Sequence, residues 1–363
     1  MDILYDGQIY LMQTAGGINR YFANLISRLS KNDVPSITIC ENRNINFPNH
    51  PNLKKFYFQR CGFRPRRISF WLEKVFFRAI AKYKKFDLIH PTYYSLLTRN
   101  NLDSYKIPTV ITVHDMIHDM FYPNAIDVVD KRKAIMSADA IICVSQNTKK
   151  DLLERYKLPE NKITVTYLAS EIDASLSYGS EVVPAHPYFL YVGNRMSYKN
   201  FDGLLLAFAK VAEKNRDVKL CVIGLPFNQD ERQLIADLKL DARIEFYGYV
   251  NDNYLAKLYR CSVAFVYPSL YEGFGIPPLE AMGCGTAVVA ANTSSIPEVV
   301  GDGGLLFNPD INHELSDMLL FLLDNPSERE RIIAKGYKRA QHFSWDKTAA
   351  QTFEVYRNVA KIK

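Results

Sequence analysis

The stretch YPSLYEGFGIPPLEAMGCGTAVVAANTSSIPEVVGDGGLLFNP, residues 267–309, decides how this chain is read. The run VAFVY over 263–267 leads into it, with the unbroken apolar pattern of a strand buried on both faces of a parallel sheet. A short loop of Glu272, Gly273, Phe274 and Gly275 follows, and Pro277 and Pro278 open a helix predicted over 277–284. Proline at a helix start wastes no hydrogen bond, and the free N–H groups beside it face the loop. Together with the helix dipole they make a seat for a phosphate or a sugar hydroxyl. Glu272 precedes the helix and Glu280 lies in its opening turn, so both carboxylates can face one ligand and accept from sugar or ribose hydroxyls. Gly273 and Gly275 let the backbone approach that ligand closely.

Working outward, the same order of strand, loop and helix recurs. A strand at 188–192 leads into GNRMSYKN and a helix from about 201, so Arg195 and Lys199 flank one loop and can reach one bound anion. A guanidinium grips phosphate oxygens bidentately, an ammonium adds a mobile point charge, and Asn200 follows directly. Strands are predicted at 219–223, ending in Gly224, and at 244–247, followed by Gly248, Tyr249 and Val250. A helix over 251–261, strands at 287–290 and 304–307, and helices over 311–323, 327–343 and 345–361 complete this half.

The first half alternates in the same way, which predicts parallel sheet with crossover helices. A strand over 1–5 leads through a loop to Gly16 and Gly17, then to a helix carrying Tyr21, Phe22, Leu25, Ile26 and Leu29 on one face. Strands over 87–90 and 109–114 end in His90 and His114. A histidine at the carboxyl end of a parallel strand points into the crevice where such sheets bind ligands, and its side chain exchanges protons near neutrality. A strand at 140–145, a helix at 146–156 and a strand at 163–168 follow. Residues 173–187 turn to Ser, Gly and Pro without apolar period, the composition of a linker. The fold expected is α/β: a first domain over 1–174, a linker over 175–187, and a second domain over 188–344.

At 363 residues, 48% hydrophobic and 23% charged, the chain can build two ordinary cores. Its net charge of +6 suits anionic ligands such as nucleoside diphosphates and is too mild for nucleic acid. Residues 60–85 mix Arg60, Arg64, Arg66, Arg67, Lys74, Arg78, Lys82, Lys84 and Lys85 with Phe63, Phe70, Trp71, Phe76 and Phe77. A basic, aromatic helix of this kind can lie on an anionic membrane surface, or pack its apolar face on a sheet. Cys40, Cys61, Cys143, Cys221, Cys261 and Cys284 show no metal spacing and read as reduced, buried thiols. MDILYDGQIY is no signal peptide, and no run reaches the ~20 apolar residues of a membrane span. A cytoplasmic protein able to touch the inner face of the membrane is expected.

The glutamate pair with G-F-G-I-P-P-L between and E-A-M-G-C-G-T after resembles the signature of the retaining glycosyltransferases of family four. G-G-I-N-R-Y from Gly16, V-H-D from Val113 and Y-V-G-N-R-M-S-Y-K-N from Tyr191 extend the resemblance over essentially the whole chain. The departure is Ala287, where the family commonly has proline. The resemblance implies GT-B: two Rossmann-like domains facing a central cleft, with the C-terminal helix 345–363 crossing back to the first. It implies sugar transfer from a nucleoside-diphosphate donor to a hydroxyl with retention, the leaving diphosphate taking the acceptor's proton. His114, Arg195, Lys199 and Glu272 would be catalytic. Gly16, Gly17, Asn200, Gly224, Tyr249, Val250, Gly273, Phe274, Gly275, Ile276, Leu279 and Glu280 would bind the donor, with Glu280 on the ribose. No Asp-x-Asp occurs, so neither metal nor cofactor is expected beyond a GDP- or UDP-linked donor, mannose favoured. The acceptor would be a glycan or lipid-linked glycan of surface polysaccharide. A nucleotide-sugar epimerase of the same architecture and a non-catalytic sugar-nucleotide-binding protein are the alternatives. A dinucleotide-dependent oxidoreductase would need G-x-G-x-x-G after the first strand, where none stands.

Overall fold

A computed structural model of the chain describes residues 1–13, 16–39, 46–58, 66–94, 106–123, 126–176, 180–311 and 313–361. It divides into two units, Met1–Leu168 with Trp345–Lys363, and Ala169–Ser344.

In the first unit β1 (Asp2–Asp6), α1 (Gln8–Met12), α2 (Gly17–Ser27), β2 (Val34–Ile39) and β3 (Lys54–Tyr57) come in order. Then follow α3 (Arg66–Tyr83), β4 (Leu88–Ile89), β5 (Val110–Val113), α4 (Ile117–Phe121) and α5 (Ile126–Ser137). The series closes with β6 (Ala140–Cys143), α6 (Gln146–Arg155) and β7 (Ile163–Val165). Strands pair in parallel in the order β3-β2-β1-β4; Ile89 bridges Thr109 just ahead of β5, which heads β5-β6-β7. VITV of β5 and AIIC of β6 are buried throughout. Such strands are apolar on both faces because helices cover both.

The second unit holds β8 (Tyr188–Val192), α7 (Phe201–Lys214), β9 (Lys219–Ile223), α8 (Gln229–Asp237), β10 (Ile244–Gly248) and α9 (Asp252–Cys261). It continues with β11 (Ala264–Tyr267), α10 (Ile276–Gly283), β12 (Val288–Ala291), α11 (Ile296–Val300), β13 (Leu305–Phe307), α12 (Glu314–Asp324) and α13 (Pro326–Ala340). Its sheet order is β10-β9-β8-β11-β12-β13, all parallel. The chain starts in the middle, builds to one edge, then returns to build the other. This doubly wound order makes each unit Rossmann-like and puts a crevice beyond the strand ends where the winding reverses, here between β8 and β11.

The segment 175–187, expected as a linker, falls within the second unit, which begins at Ala169, and the chain about it is held against α9. Arg260 donates to the Ala174 carbonyl (3.1 Å), Lys257 to that of Glu181 (2.5 Å) and Tyr254 to that of Val182 (2.8 Å). An irregular segment without apolar period is held by its backbone carbonyls, which composition does not show. The cysteines also differ, since Cys143, Cys221 and Cys284 are buried but Cys261, at the end of α9, is exposed. Cys40 and Cys61 lie outside the described residues.

The last helix, α14 (Trp345–Lys361), belongs to the first unit and buries Trp345, Thr348, Ala349, Thr352, Val355, Tyr356 and Val359 on one stripe. Tyr356 carries the contact that fixes it. Its hydroxyl meets His90 Nδ1 at 2.5 Å and receives the Tyr5 hydroxyl at 3.2 Å, while His90 Nε2 lies 2.9 Å from Thr112 Oγ1. His90, the weaker of the two histidine candidates, thus has both nitrogens committed inside the core. Burial, and after it neighbouring His114, pushes its imidazole down to about 3.

A folded-state value below the ordinary 6.5 means that the unfolded chain takes up a proton the folded one refuses. Stability is therefore full above pH 6.5 and is lost as pH falls toward 3. The midpoint of urea unfolding should decline from about pH 6.5 to 5, ahead of the carboxylates. His90→Gln should reduce that decline to the share carried by His114, which is pushed down to about 3 as well; a slope unchanged in the variant counts against the assignment.

Candidate functional site

Arg195, in the loop after β8, is built in on every side. Its Nε donates to Glu231 Oε1 at 2.8 Å, and Nη2 donates to the carbonyls of Leu225 (2.7 Å) and Pro226 (2.9 Å). The guanidinium carbon sits 4.8 Å from the centre of the Phe227 ring and 5.4 Å from that of Phe201. Nη1 is buried and has no hydrogen-bond partner among the described residues. A two-pronged grip on phosphate by this guanidinium is therefore corrected: Nε and Nη2 are taken, and Nη1 is the donor left. Glu231 was not foreseen. It stands in the first turn of α8, its Oε2 accepting from Asn228 N–H while Asn228 Oδ1 accepts from Glu231 N–H. That capping box fixes the carboxylate that fixes the arginine.

The backbone beside Nη1 requires glycine. A Cβ on Gly224 would lie 3.5 Å from Nη1 and 2.3 Å from the Gly193 carbonyl oxygen, at a φ of +147°. Gly193 N–H donates to Ile223 O and Gly224 N–H to Gly248 O, each at 3.0 Å, so the glycines terrace the ends of β8, β9 and β10. Beyond Gly248, Tyr249 is 80% exposed and Val250 half-buried.

Lys199 ends a 3₁₀ turn, Ser197–Lys199, and its Nζ donates to Glu272 Oε1 at 2.6 Å in a mostly buried ion pair. Asn200 follows in the left-handed region (φ 53°) and starts α7. Leu270 N–H donates to Tyr198 O at 2.7 Å, tying the Lys199 loop to the Glu272 loop at the switch point between β8 and β11. Two residues singled out separately in the sequence thus meet as a pair. Burial, then the adjacent Glu272 carboxylate, holds the Tyr267 phenol well above its ordinary range. The Glu272 loop is braced by residues the sequence did not mark. Ser294 Oγ accepts from Glu272 N–H (2.9 Å), and Ser295 Oγ donates to the carbonyls of Glu272 (2.9 Å) and Phe274 (3.0 Å).

α10 starts at Ile276 rather than Pro277, with Gly275 as its cap at φ 101°. Pro277 and Pro278 then occupy two of the positions whose N–H groups a helix start leaves unpaired. The expected array of donors shrinks to Gly275 and Ile276. Glu272 meets Lys199, whereas Glu280 accepts from the Tyr259 hydroxyl of α9 at 3.1 Å. Gly273 is buried. The Phe274 ring is buried 5.8 Å from that of Phe343, and the Leu279 side chain is buried too, so either could meet a ligand only through its backbone.

In the first unit Gly16 caps α2 and Gly17 is its exposed first residue. His114 follows β5, its ring edge-on to Tyr21 (5.2 Å) and Phe22 (6.3 Å), with Nε2 buried and unpartnered among the described residues. Burial, and then the charge of Lys131, pushes it down to about 3. Proton exchange near neutrality, expected of this side chain, does not fit; it stays a neutral imidazole. Lys131, unmarked in the sequence, is buried and donates to the Asp115 carbonyl (2.5 Å) and to Asp119 Oδ2 (2.6 Å), and the Tyr156 hydroxyl donates to Asp119 Oδ1 (2.6 Å). Of the basic aromatic segment, Arg60, Phe63, Arg64 and the side chains of Arg66, Arg67, Phe70, Lys74 and Phe77 lie outside the described residues.

A family model described as glycosyl transferases group 1 matches residues 180–339, and that of Glycosyltransferase Family 4 matches residues 15–172. O-antigen chain mannosyltransferase B of Escherichia coli is 35% identical over 236 residues, 62% of this chain and 62% of that protein. Serotype-specific mannosyltransferase WbdA of Escherichia coli is 26% identical over 233 residues, 60% of this chain and 29% of that one. The aligned region spans less than two thirds of either relative. Among solved structures, Anabaena HepE in complex with UDP-glucose has a TM-score of 0.76 at 19% identity, covering 99% of this chain and 100% of that chain, which is a likeness of fold. With one model on each half, the chain is a two-domain glycosyltransferase of GT-B fold, a Glycosyltransferase Family 4 domain over residues 15–172 followed by a glycosyl transferases group 1 domain over residues 180–339.

Proposed function

We propose that the protein is a retaining, metal-independent hexosyltransferase. It moves a hexosyl group, mannose favoured, from a GDP- or UDP-linked donor to a hydroxyl of a glycan or lipid-linked glycan in surface polysaccharide biosynthesis. The observation that carries the reading is the Lys199–Glu272 pair, in the loops next to Arg195, at the point where the sheet of the second unit reverses its winding. The mannosyltransferase names of the similar Escherichia coli proteins support the choice of sugar and pathway.

In this reading Glu272 accepts from donor-sugar hydroxyls while Lys199 and Arg195 Nη1 meet the diphosphate. Glu280 serves the ribose, and the backbone about Tyr249 and Val250 passes the base. The acceptor oxygen forms the new bond to the anomeric carbon on the face from which the sugar–phosphate bond breaks, and its proton passes to a leaving phosphate oxygen. Charge building on that phosphate is what the fixed donors stabilise. His114, neutral, offers the sugar a hydrogen bond rather than a charge.

Lys199→Ala should lower kcat/KM by about 10²–10³ and remove most of the thermal shift given by GDP or UDP. Parent-like values for both would end the diphosphate assignment. Glu231→Gln keeps the shape of the Arg195 cradle but leaves the buried guanidinium without its counter-charge, and should lower Tm; Glu231→Ala, which removes the hydrogen bonds as well, should lower it further, and a parent-like Tm in both counts against the cradle. Transfer with GDP-mannose should persist in EDTA, and activity that collapses in chelator and returns with Mg²⁺ or Mn²⁺ rules out the metal-free reading.

A further inference from the structure

The basic aromatic stretch singled out in the sequence is not used by the site described above. On α3, Ile68, Trp71, Leu72 and Val75 are all exposed, Trp71 by 60%. Their spacing of three, four and seven residues puts them on one face of a helix. Packing of the helix uses other residues. The Phe76 ring lies 5.4 Å from that of Phe58 just past β3, and Lys84, beyond the helix end, sits 4.2 Å over Phe56 of β3. The apolar stripe itself stays exposed beside these contacts, and Arg78 and Lys82 are exposed where it ends.

Charge is concentrated on the same stretch. Residues 66–85 hold seven basic side chains and one acid, Glu73, a net +6 equal to that of the whole chain. The remaining residues are balanced. Four large apolar side chains in one exposed row, ending in cations, is what the headgroup and acyl boundary of an anionic bilayer accommodates. A protein partner would have to match the same positive charge. No helix among the described residues is long and apolar enough to cross a membrane, so contact would be on the surface.

We propose that α3 is a peripheral docking surface for an anionic lipid bilayer, inserting Ile68, Trp71, Leu72 and Val75 among the acyl chains with Arg78 and Lys82 on the headgroups. The chain provides its own reporter. It has two tryptophans, and Trp345 is only 5% exposed, so a change in emission on binding comes from Trp71. Vesicles of phosphatidylethanolamine with phosphatidylglycerol should sediment the protein and shift its emission to the blue, and phosphatidylcholine vesicles should do neither. Trp71→Phe should abolish the shift. Arg78→Glu with Lys82→Glu should cut partitioning by about tenfold or more at equal salt, and Val75→Glu should cut it too. Equal binding to phosphatidylcholine, a shift that survives Trp71→Phe, or no sedimentation with anionic vesicles overturns the proposal. Self-association that shifts Trp71 emission without vesicles also overturns it, giving the face to a second copy. These readouts record binding alone and hold whatever sugar is transferred.

Discussion

A cation taken out of water survives in a fold only when its charge and its hydrogen bonds are answered, and the second unit depends on that constraint being met twice. Arg195 is answered by Glu231, by two carbonyls and by two aromatic faces. Lys199 is answered by Glu272. Each pair joins loops that follow different strands, so the ion pairs that make the cations tolerable also set the geometry at the carboxyl edge of the sheet. Paired this way, the two cations leave no excess positive charge. A bound diphosphate would share donors already held in place instead of condensing on bare charge, and it would gain from their being fixed before it arrives.

The first unit answers the same constraint by keeping polar groups neutral or paired. His90 and His114 both sit where burial forbids the imidazolium. Lys131 does carry charge in the core, and it is compensated by Asp119, whose other oxygen takes the Tyr156 hydroxyl. That ion pair props the Asp115 carbonyl directly after His114, so the charge that helps keep His114 neutral also anchors the turn behind it. The Tyr356–His90–Thr112 chain does for α14 what Glu231 does for Arg195: one buried polar contact fixes an element remote in sequence.

Much of the fold could be read from the sequence because each buried parallel strand announces itself as a short apolar run. The loops after these strands carried the readable site as well: Lys199 and Glu272 were both marked and do meet. What stayed hidden is long-range. Glu231 lies in QDERQ, which is indistinguishable from a solvated helix start until Arg195 is seen folded against it. Ser294 and Ser295 look like turn residues, and only the fold shows them bracing the Glu272 loop. Residues 175–187 read as a linker because their stability comes from donors on α9. His114 looked like a proton exchanger because a strand end does not reveal how deeply its nitrogen is sealed.

The distribution of charge separates two kinds of recognition within one chain. Without residues 66–85 the basic and acidic residues balance, and the cations of the candidate site are individually matched by carboxylates. A long-range field is then a poor explanation for binding a nucleoside diphosphate, since opposite charges a few ångströms apart largely cancel beyond a Debye length. In the proposed reading selectivity there comes from direction: the one unpartnered donor of Arg195, Nη1, and the N–H groups of Gly275 and Ile276 left over where two prolines took the other helix-start positions. On α3 the situation is reversed, with an excess of basic residues in its sequence beside an exposed apolar row. Such a surface cannot distinguish one small anion from another. In the proposal above it suits an extended anionic sheet, which meets the cations and the apolar row beside them together.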